Sequence, residues 1–341
     1  MPEQDKFGGV YNFYENLKDL LSDDINYFYF GAIRNNINNK KILFFIYLLS
    51  FLKRVYVSKS NVIILNTSLN LNAVIRDSIY LLIAKLLRKE VIVFWRGWNF
   101  DNVKYLKFPY SIITWLLLKP DKSIVLYSEI GNVLRDFGHK NNIYNLTTTV
   151  SDSAFNYMLE EREHENFNLI FMSRVEIYKG VNELLDAYSI LKEKYPNIKL
   201  TIAGNGGELD TLINKVRDFN IKDVTFSGYV TGNEKYKLLA DSDLFVFPSY
   251  SEGMPNAVLE AMAMGLPIVT TKVGGLNDFF IEDRMGAFVE IKNVNSLVQE
   301  IEALYLNVNK RKSISKDNIK FASINFKKSI VYNKLKDIIN I

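Results

Sequence analysis

The chain has 341 residues, of which 48% are hydrophobic and 13% aromatic, and its formal net charge is +4. A chain of this length and apolar content is long for one hydrophobic core and suits two domains of ordinary size. It contains no cysteine, which excludes disulfides and thiolate metal sites and fits a reducing compartment. The opening MPEQDKFGG lacks the basic and apolar regions of a signal peptide, so we expect a cytoplasmic protein.

Strand-like and helix-like segments alternate in the first half of the chain. Apolar runs at residues 62–67, 91–95 and 123–128 predict buried strands, and the apolar spacing of residues 70–89 predicts a helix between the first two. Strands separated by helices in this way indicate a parallel sheet with right-handed crossovers.

The opening of this half departs from that pattern. A domain of this type normally begins with a strand that leads into a glycine loop, yet only six residues precede FGGVYNFYENL. We expect either that the first strand is missing from this sequence or that the loop is held in another way. The Tyr and Phe residues clustered at 7–30 predict core packing, with a platform for an acceptor as the alternative.

The longest apolar run is ILFFIYLLSFL at residues 42–52, which lies between two pairs of basic residues. Eleven residues cannot cross about 30 Å of hydrocarbon as a helix. Two interpretations remain open: a buried helix, or a helix in a membrane surface with its cations on lipid phosphates. Residues 1–155 carry a net charge of +6, which suits an anionic leaflet or a phosphate-bearing acceptor. Without a recognised nucleic-acid module we expect no nucleic-acid partner.

The second half repeats the alternation of strands and helices with clearer signals. The polar segment 159–168 is the predicted linker, so we place domains at 1–158 and 159–322, with a C-terminal helix at 323–341 that packs toward the first domain. Two doubly wound α/β domains should bind ligands near the carboxyl ends of their strands. Strands are predicted at 169–173, 199–204, 224–228, 243–249, 267–271 and 287–290, and helices at 181–195, 208–219, 233–240, 256–265 and 296–306.

The stretch SEGMPNAVLEAMAMG, residues 251–265, follows one of these strands. Pro255 suits the first turn of a helix, where its missing N–H would have no partner. Such a helix presents the free N–H groups of Asn256 and Ala257 to an anion.

Two glutamates stand eight positions apart in the same stretch. Gly253 lets the chain turn, and Glu252 should then point toward the same ligand. Glu260 would lie about 12 Å further along the axis if one helix covered both residues. This spacing suits hydroxyl groups at the two ends of one ligand.

These segments resemble the motifs of retaining glycosyltransferases with the GT-B fold, of the family-4 type. The E-x7-E pattern of Glu252 and Glu260 is preceded by SRVEIYKGVNELLDA, AGNGGELDTL and FSGYV, in the order found in that family. The resemblance is specific over residues 169–290. It implies two Rossmann-like doubly wound domains with an interdomain cleft, a nucleotide-sugar held by the second domain and an acceptor held by the first.

The resemblance also implies catalytic roles. Arg174 and Lys179 would bind the donor diphosphate, Glu252 the hydroxyls of the transferred sugar, and Glu260 those of the ribose. Attack would come from the same face that the leaving group departs from, so the anomeric configuration is retained. A phosphate oxygen would help to deprotonate the acceptor, and neither a protein nucleophile, a metal nor another cofactor is expected.

Further donor contacts follow from the motif positions. The backbone of Tyr229 and Val230 would border the base. The expected donor-binding residues are Gly9, Arg96, Tyr229, Val230, Gly253, Met254, Pro255, Asn256, Ala257 and Glu260. Members of the family often place a histidine near the sugar, but His139 and His164 do not fit that position. Arg96 stands there instead and is a hypothetical contact to sugar or phosphate, with stacking on Trp95 or Trp98 as the structural alternative.

Other polar motifs have simpler interpretations. Asp241 and Asp243 imitate a D-x-D metal motif, but they precede a buried strand, where turn chemistry explains them. The glycines of GNGG, residues 204–207, lack the G-x-G-x-x-G spacing and indicate a turn.

The expected function is transfer of a hexose or N-acetylhexosamine, from a UDP-sugar by family precedent, at the inner face of a membrane. The acceptor would be a lipid-linked, lipopolysaccharide-type or capsule-type glycan, through peripheral membrane contact. A nucleotide-sugar epimerase of similar fold and a catalytically silent sugar-binding or scaffold protein are the alternatives.

Overall fold

A computed structural model describes residues 9–21, 25–28, 40–157 and 165–339. The chain divides into two compact units. Unit 1 comprises residues 1–149 and 329–341, and unit 2 comprises residues 150–328.

Strands and helices alternate through the described residues. The strands are β1 (Val62–Ser68), β2 (Glu90–Gly97), β3 (Lys122–Val125), β4 (Asn142–Asn145), β5 (Phe167–Met172), β6 (Ile198–Ala203), β7 (Val224–Gly228), β8 (Leu244–Phe247), β9 (Ile268–Thr271) and β10 (Gly286–Val289). The helices are α1 (Gly9–Leu17), α2 (Lys40–Val57), α3 (Leu71–Leu86), α4 (Ser111–Thr114), α5 (Ser128–Asp136), α6 (Asp152–Asn156), α7 (Val181–Lys194), α8 (Leu209–Asp218), α9 (Gly232–Ala240), α10 (Asn256–Ala263), α11 (Leu276–Phe279), α12 (Val294–Leu306), α13 (Val308–Asn325) and α14 (Lys328–Ile339). Two 3-10 helices cover Phe100–Leu106 and Ile177–Lys179.

Unit 1 is built on a parallel sheet with the strand order β1-β2-β3-β4. Residues 91–95 of β2 are fully buried, because this central strand is covered on both faces, as parallel strands usually are. Helix α3 connects β1 to β2 and begins where the Asn70 side chain accepts a hydrogen bond from Ala73 N at 3.0 Å. Strand β4 has no predicted counterpart: its sequence NIYN has no apolar run, and it pairs at the edge of the sheet.

Unit 2 has a six-stranded parallel sheet with the order β10-β9-β8-β5-β6-β7. The chain first builds outward from β5 to β7, then returns to the other side of β5 and continues from β8 to β10. The connection after β5 therefore leads toward the β7 edge of the sheet, and the connection after β8 leads toward the β10 edge. The carboxyl ends of β5 and β8 are thus the switch point of a doubly wound sheet. Every residue of β8 and β9 is buried.

The predicted α/β architecture with two parallel sheets is confirmed. All the predicted strands are present within a few residues of their expected bounds. The region after α12 differs: the unpredicted helix α13 runs to Asn325, and the last helix begins at Lys328 rather than at residue 323. Residues 159–164 of the predicted linker (159–168) lie outside the described residues, and its last two residues begin β5.

The apolar run at residues 42–52 forms the middle of α2. Tyr47, Phe51 and Val55 are buried, and Phe51 stacks on Tyr80 of α3 with ring centroids 4.2 Å apart. In the N-terminal aromatic cluster Phe13 and Tyr14 are buried, as the core interpretation predicts, whereas Phe7, Tyr29 and Phe30 lie outside the described part. None of the helices described is both long enough and apolar enough to span a bilayer.

Candidate functional site

The carboxyl ends of β5 and β8 lie side by side at the switch point of unit 2. Strand β5 is followed by Arg174 and by the 3-10 helix that ends at Lys179, and β8 is followed by the loop that carries Glu252. Ligands of doubly wound sheets bind where such connections diverge. The three residues predicted to be catalytic therefore follow the two strands that flank this point.

The turn after β6 holds the loop that carries Arg174. Ser173 N donates a hydrogen bond to Ala203 O at 3.0 Å, and Val175 N donates one to Asn205 O at 3.0 Å. The GNGG segment is thus a turn, as predicted, and it fixes the backbone on both sides of Arg174.

The ring of Tyr178 brings the two predicted diphosphate ligands together. Arg174 Cζ lies 5.7 Å and Lys179 Nζ 5.4 Å from the centroid of that ring. Arg174 is exposed and makes no hydrogen bond or ion pair to any residue that the structure describes, whereas Lys179 is buried. The guanidinium of Arg174 is therefore open to a ligand, whereas the ammonium of Lys179 already has a partner in the protein.

That partner is Glu252. Lys179 Nζ lies 2.5 Å from Glu252 Oε1, and the two side chains are 9% and 10% exposed. The ammonium also lies 5.3 Å from the centroid of the Phe247 ring. A buried charge is stable only when it is paired, so each member of this pair holds the other in place. A lysine ammonium has three N–H donors, and the bond to Glu252 leaves two of them for other oxygens.

Backbone contacts fix the approach of the two loops. Tyr250 N donates to Tyr178 O at 2.8 Å. Gly180 has φ of +70°, and a Cβ at this position would collide with Pro248 O. Only glycine combines this backbone conformation with so close an approach, so the lysine-glycine segment is required by packing as well as by charge.

The loop that carries Glu252 is also held from its other side. Gly275 N donates to Gly253 O at 2.7 Å. Gly274 has φ of +53°, and a Cβ there would collide with Glu252 O. The turn after β9 therefore helps to support the site.

Helix α10 begins at Asn256, the residue at which it was predicted to begin. Pro255 precedes the first turn and its carbonyl accepts a hydrogen bond from Val258 N at 3.0 Å. Because Glu252 lies outside the helix, the expected axial separation between the two glutamates does not apply. No side chain caps α10, so the N–H groups of Asn256 and Ala257 remain the free amides of a helix N-terminus.

The second glutamate has a cationic partner that the sequence does not reveal. Lys235 Nζ of α9 lies 2.7 Å from Glu260 Oε1, and the side chains are 20% and 16% exposed. Burial lowers the pKa of Lys235, but the charge and hydrogen bond of Glu260 outweigh it, so the pKa lies above its ordinary value. Lys235 occupies an unremarkable position in GNEKYKLLA, and only the fold brings it to Glu260.

The predicted base-binding residues differ in exposure. Tyr229 follows β7 and is exposed, and its phenol acts electrostatically on Lys235. Val230 is buried in the core and Met254 packs against that core, so the side chain of Val230 is not open to a ligand. The prediction that the backbone at Tyr229 and Val230 borders a base stays a prediction.

In unit 1, Arg96 has a structural environment of its own. Its Nη2 donates to Gly9 O at 2.8 Å, and its Cζ lies 4.4 Å and 4.6 Å from the ring centroids of Phe13 and Phe94. Arg96 does stack on aromatic rings, as the structural alternative predicts. The prediction that these rings are Trp95 or Trp98 was wrong, because they are Phe13 and Phe94.

Two of the three guanidinium nitrogens of Arg96 are buried without a hydrogen-bond partner among the described residues. Its buried Nε and Nη1 make no hydrogen bond to the residues described. Burial lowers the pKa of Arg96 to about 10, an effect that the nearby Tyr14 opposes. The guanidinium still carries its charge at neutral pH, and the predicted donor contacts of Gly9 and Arg96 stay predictions.

The remaining polar candidates have structural roles. His139 is buried, its Nδ1 lies 3.0 Å from Leu118 O, and burial lowers its pKa.

Asp243 accepts a hydrogen bond from Asn168 N at 2.8 Å, and the carbonyl of Asp241 accepts one from Asn168 Nδ2 at 2.8 Å. The aspartates therefore stabilise a turn, as predicted, at the amino end of β8 and not at the end that leads to the site. His164 lies outside the described residues, among which no cluster of three or more His, Asp or Glu residues could hold a metal ion.

Comparison with known proteins agrees with this geometry. Residues 159–321 match the family of glycosyl transferases group 1. That segment belongs to this family. The chain is 33% identical over 137 residues to glycogen synthase of Mycobacterium tuberculosis, a match that covers 40% of this chain and 33% of that protein. It is 27% identical over 193 residues to the capsular polysaccharide biosynthesis glycosyltransferase CapM of Staphylococcus aureus, covering 54% of this chain and 50% of CapM. The chain thus spans a third to a half of the length of these curated relatives.

The fold also extends beyond the group 1 domain. The crystal structure of Anabaena HepE in complex with UDP superposes with a TM-score of 0.71 at 17% identity, covering 86% of this chain and 82% of HepE. Together with the two parallel sheets, this likeness shows the GT-B fold that the motifs predict.

Proposed function

We propose that this chain is a glycosyltransferase that moves a hexose or N-acetylhexosamine from a UDP-sugar to a glycan acceptor, with retention of configuration. The single observation that carries the proposal is the buried pair of Lys179 and Glu252, held between the exits of β5 and β8 beside the free N-terminus of α10. Membership of residues 159–321 in the group 1 family supports the reaction class.

The donor diphosphate is assigned to the cationic end of this site. Arg174 is exposed and unpaired among the residues described, and Lys179 has two N–H donors beyond its bond to Glu252. The amides of Asn256 and Ala257 add the partial positive charge of a helix N-terminus. Positive groups that face the departing diphosphate stabilise the charge that develops as the sugar leaves. These groups supply that charge without a metal, so we expect turnover to survive a chelator.

The two glutamates are assigned to hydroxyl groups of the donor. Glu252 accepts hydrogen bonds from the transferred sugar, and Lys179 fixes its carboxylate in one orientation. Glu260 binds the ribose, and Lys235 plays the same orienting part there. The attacking hydroxyl of the acceptor passes its proton to the leaving phosphate, so Glu252 acts as a sugar ligand and not as a nucleophile.

Our assignments of the nucleotide base and of the acceptor class rest on the names of similar proteins. HepE is named in complex with UDP, which favours uridine, and CapM is named for capsular polysaccharide biosynthesis. We assign a lipid-linked, lipopolysaccharide-type or capsule-type glycan as acceptor, reached at the inner face of a membrane.

The test is release of nucleoside diphosphate from a panel of nucleotide-sugars, with and without chelator. We expect slow UDP release that the chelator does not change and that Glu252→Ala abolishes. The matched control is Glu193→Ala, which removes an exposed carboxylate from α7 of the same unit and should leave the rate unchanged. An isomerised sugar formed without acceptor, or tight UDP-sugar binding without release, would contradict the proposal.

A further inference from the structure

Helix α2 exposes a continuous apolar stripe. Ile42, Phe45, Leu49, Leu52 and Tyr56 are between 40% and 77% exposed. Successive members are three or four positions apart, so they lie along one face of the helix. Single exposed apolar side chains are ordinary on protein surfaces, but five in one stripe mark an interaction surface.

The opposite face of α2 packs against the core of unit 1, which leaves the stripe exposed to solvent. Tyr47, Phe51 and Val55 repeat every fourth residue and are buried, with Phe51 stacked on Tyr80 of α3. The helix therefore already has its packing face. The exposed stripe is a second apolar face, distinct from the face that packs on α3.

A second exposed apolar segment surrounds α4. Phe108, Ile112 and Trp115 are 82%, 71% and 52% exposed. Lys119 Nζ lies 3.5 Å from the Trp115 ring, which puts a cation directly on the aromatic face. Helices α2 and α4 both contact α3 of unit 1, so the two segments flank the same helix.

The sequence segment that contains α2 and α4 has a large excess of basic over acidic residues. Residues 40–119 contain thirteen Lys and Arg against three Asp and Glu, a net charge of +10, whereas the whole chain carries only +4. The rest of the chain is therefore net acidic. The basic excess lies in the same segment as the exposed apolar stripe, and it includes Lys53 next to the stripe and Lys107 next to Phe108.

We infer that the stripe of α2 and the segment around α4 dock unit 1 on an anionic lipid bilayer. Apolar side chains flanked by Lys and Arg suit the boundary between lipid headgroups and acyl chains. Trp115 and Tyr56 are of the types that favour this depth, with an apolar ring and a polar tip. A second copy of the chain would oppose one strongly basic surface with another, which charge repulsion disfavours.

This docking surface is independent of the reaction proposed above. None of its residues is among those assigned to the donor, and all lie in unit 1. Membrane binding and UDP release can therefore fail separately, and each has its own measurement.

Flotation of the full chain with lipid vesicles tests the inference. We expect binding to vesicles of phosphatidylcholine with phosphatidylglycerol, weak binding to phosphatidylcholine alone, and loss of binding as added salt screens the lysines. The double variant Phe45→Ser/Leu49→Ser should lower the bound fraction about tenfold or more, since two apolar side chains no longer enter the bilayer. Lys53→Gln/Lys107→Gln should weaken binding to the anionic vesicles only.

The matched control is Phe219→Ser/Leu306→Ser, which removes two equally exposed apolar side chains from unit 2 and should float like the unchanged chain. UDP release and circular dichroism in lipid-free buffer check that each variant is folded. Equal flotation with neutral and anionic vesicles, or flotation that the Phe45→Ser/Leu49→Ser variant retains, would overturn the inference. A lipid-free dimer that this variant converts to monomer would overturn it in favour of a second copy.

Discussion

The two units differ in how they treat their polar and apolar side chains. At the carboxyl edge of the unit 2 sheet, Glu252 and Glu260 each lie within 2.7 Å of a lysine, and the flanking backbone is fixed by glycine turns. In unit 1, α2 instead leaves an apolar stripe exposed, and two buried nitrogens of Arg96 have no hydrogen-bond partner in the part of the chain that the structure describes.

This contrast indicates a division of labour. Paired and buried charges hold one geometry, because moving either partner exposes the other to a medium of low polarity. That property suits recognition of one small, highly charged donor. Exposed apolar side chains among cations suit binding to a lipid surface, which does not require one fixed geometry. In the function proposed above, unit 2 therefore holds the donor in one position, and unit 1 is assigned to the membrane and the acceptor.

The largest expected effect comes from removing one member of the buried pair of Lys179 and Glu252. We expect Lys179→Met to lower the free energy of unfolding by about 3–5 kcal/mol, because Glu252 is left as an unpaired buried charge. The double variant Lys179→Met/Glu252→Leu should recover most of this stability but release no UDP. Urea unfolding and UDP release measure the two effects. Equal stability of the single variant and the unchanged chain would show that the pair is not buried in solution.

A second test uses the exposed cation of the same site. Arg174→Ala should slow UDP release by about 10²–10³, as expected for loss of one charged group that stabilises a leaving anion. Its stability should change by less than about 0.5 kcal/mol, since the side chain is exposed and unpaired among the described residues.

Arg174→Lys refines this test, since it keeps the charge but loses the planar donor fork. We expect it to retain part of the rate. Full activity of Arg174→Ala, measured at saturating donor, would remove Arg174 from the catalytic set.

The third test addresses the pair that the sequence does not reveal. Lys235→Met should weaken UDP affinity by about tenfold, because Glu260 loses the partner that orients it toward the ribose. Calorimetric titration with UDP gives the dissociation constant directly. The control is Lys237→Met, which changes an exposed lysine two residues along the same helix. The same loss of affinity in both variants would mean that net charge, and not orientation, decides UDP binding.

The smallest expected effect concerns unit 1. Arg96→Ala removes the bond to Gly9 O and two contacts with aromatic rings, and we expect a loss of about 1–2 kcal/mol in stability. The same variant tests the hypothetical contact to donor sugar or phosphate. A lower rate of UDP release in a variant that remains folded would support that contact. Unchanged turnover would leave Arg96 with a structural role alone.

Much of unit 2 could be read from the sequence. Its strands are continuous apolar runs bounded by turn residues, and its helices have clear apolar spacing. Strand β4 and helix α13 escaped prediction for physical reasons. The sequence NIYN gains its strand conformation from pairing with β3, and α13 is highly charged, with only Ile314, Asn318 and Ala322 buried.

The site was predictable only in part. The positions of Arg174, Lys179 and Glu252 at strand exits follow from local pattern and from family resemblance. The ion pair between Lys179 and Glu252 does not, since the two residues are 73 positions apart.

By itself the sequence determined the parallel α/β architecture, the order of the motifs and the apolar run that becomes α2. These depend on periodicity and turn chemistry, which act over a few neighbouring residues. Only the tertiary structure decided which charges meet, which rings surround Arg96 and which face of α2 stays exposed. Pairing and burial depend on strand order and packing, and they join residues that are far apart in the chain.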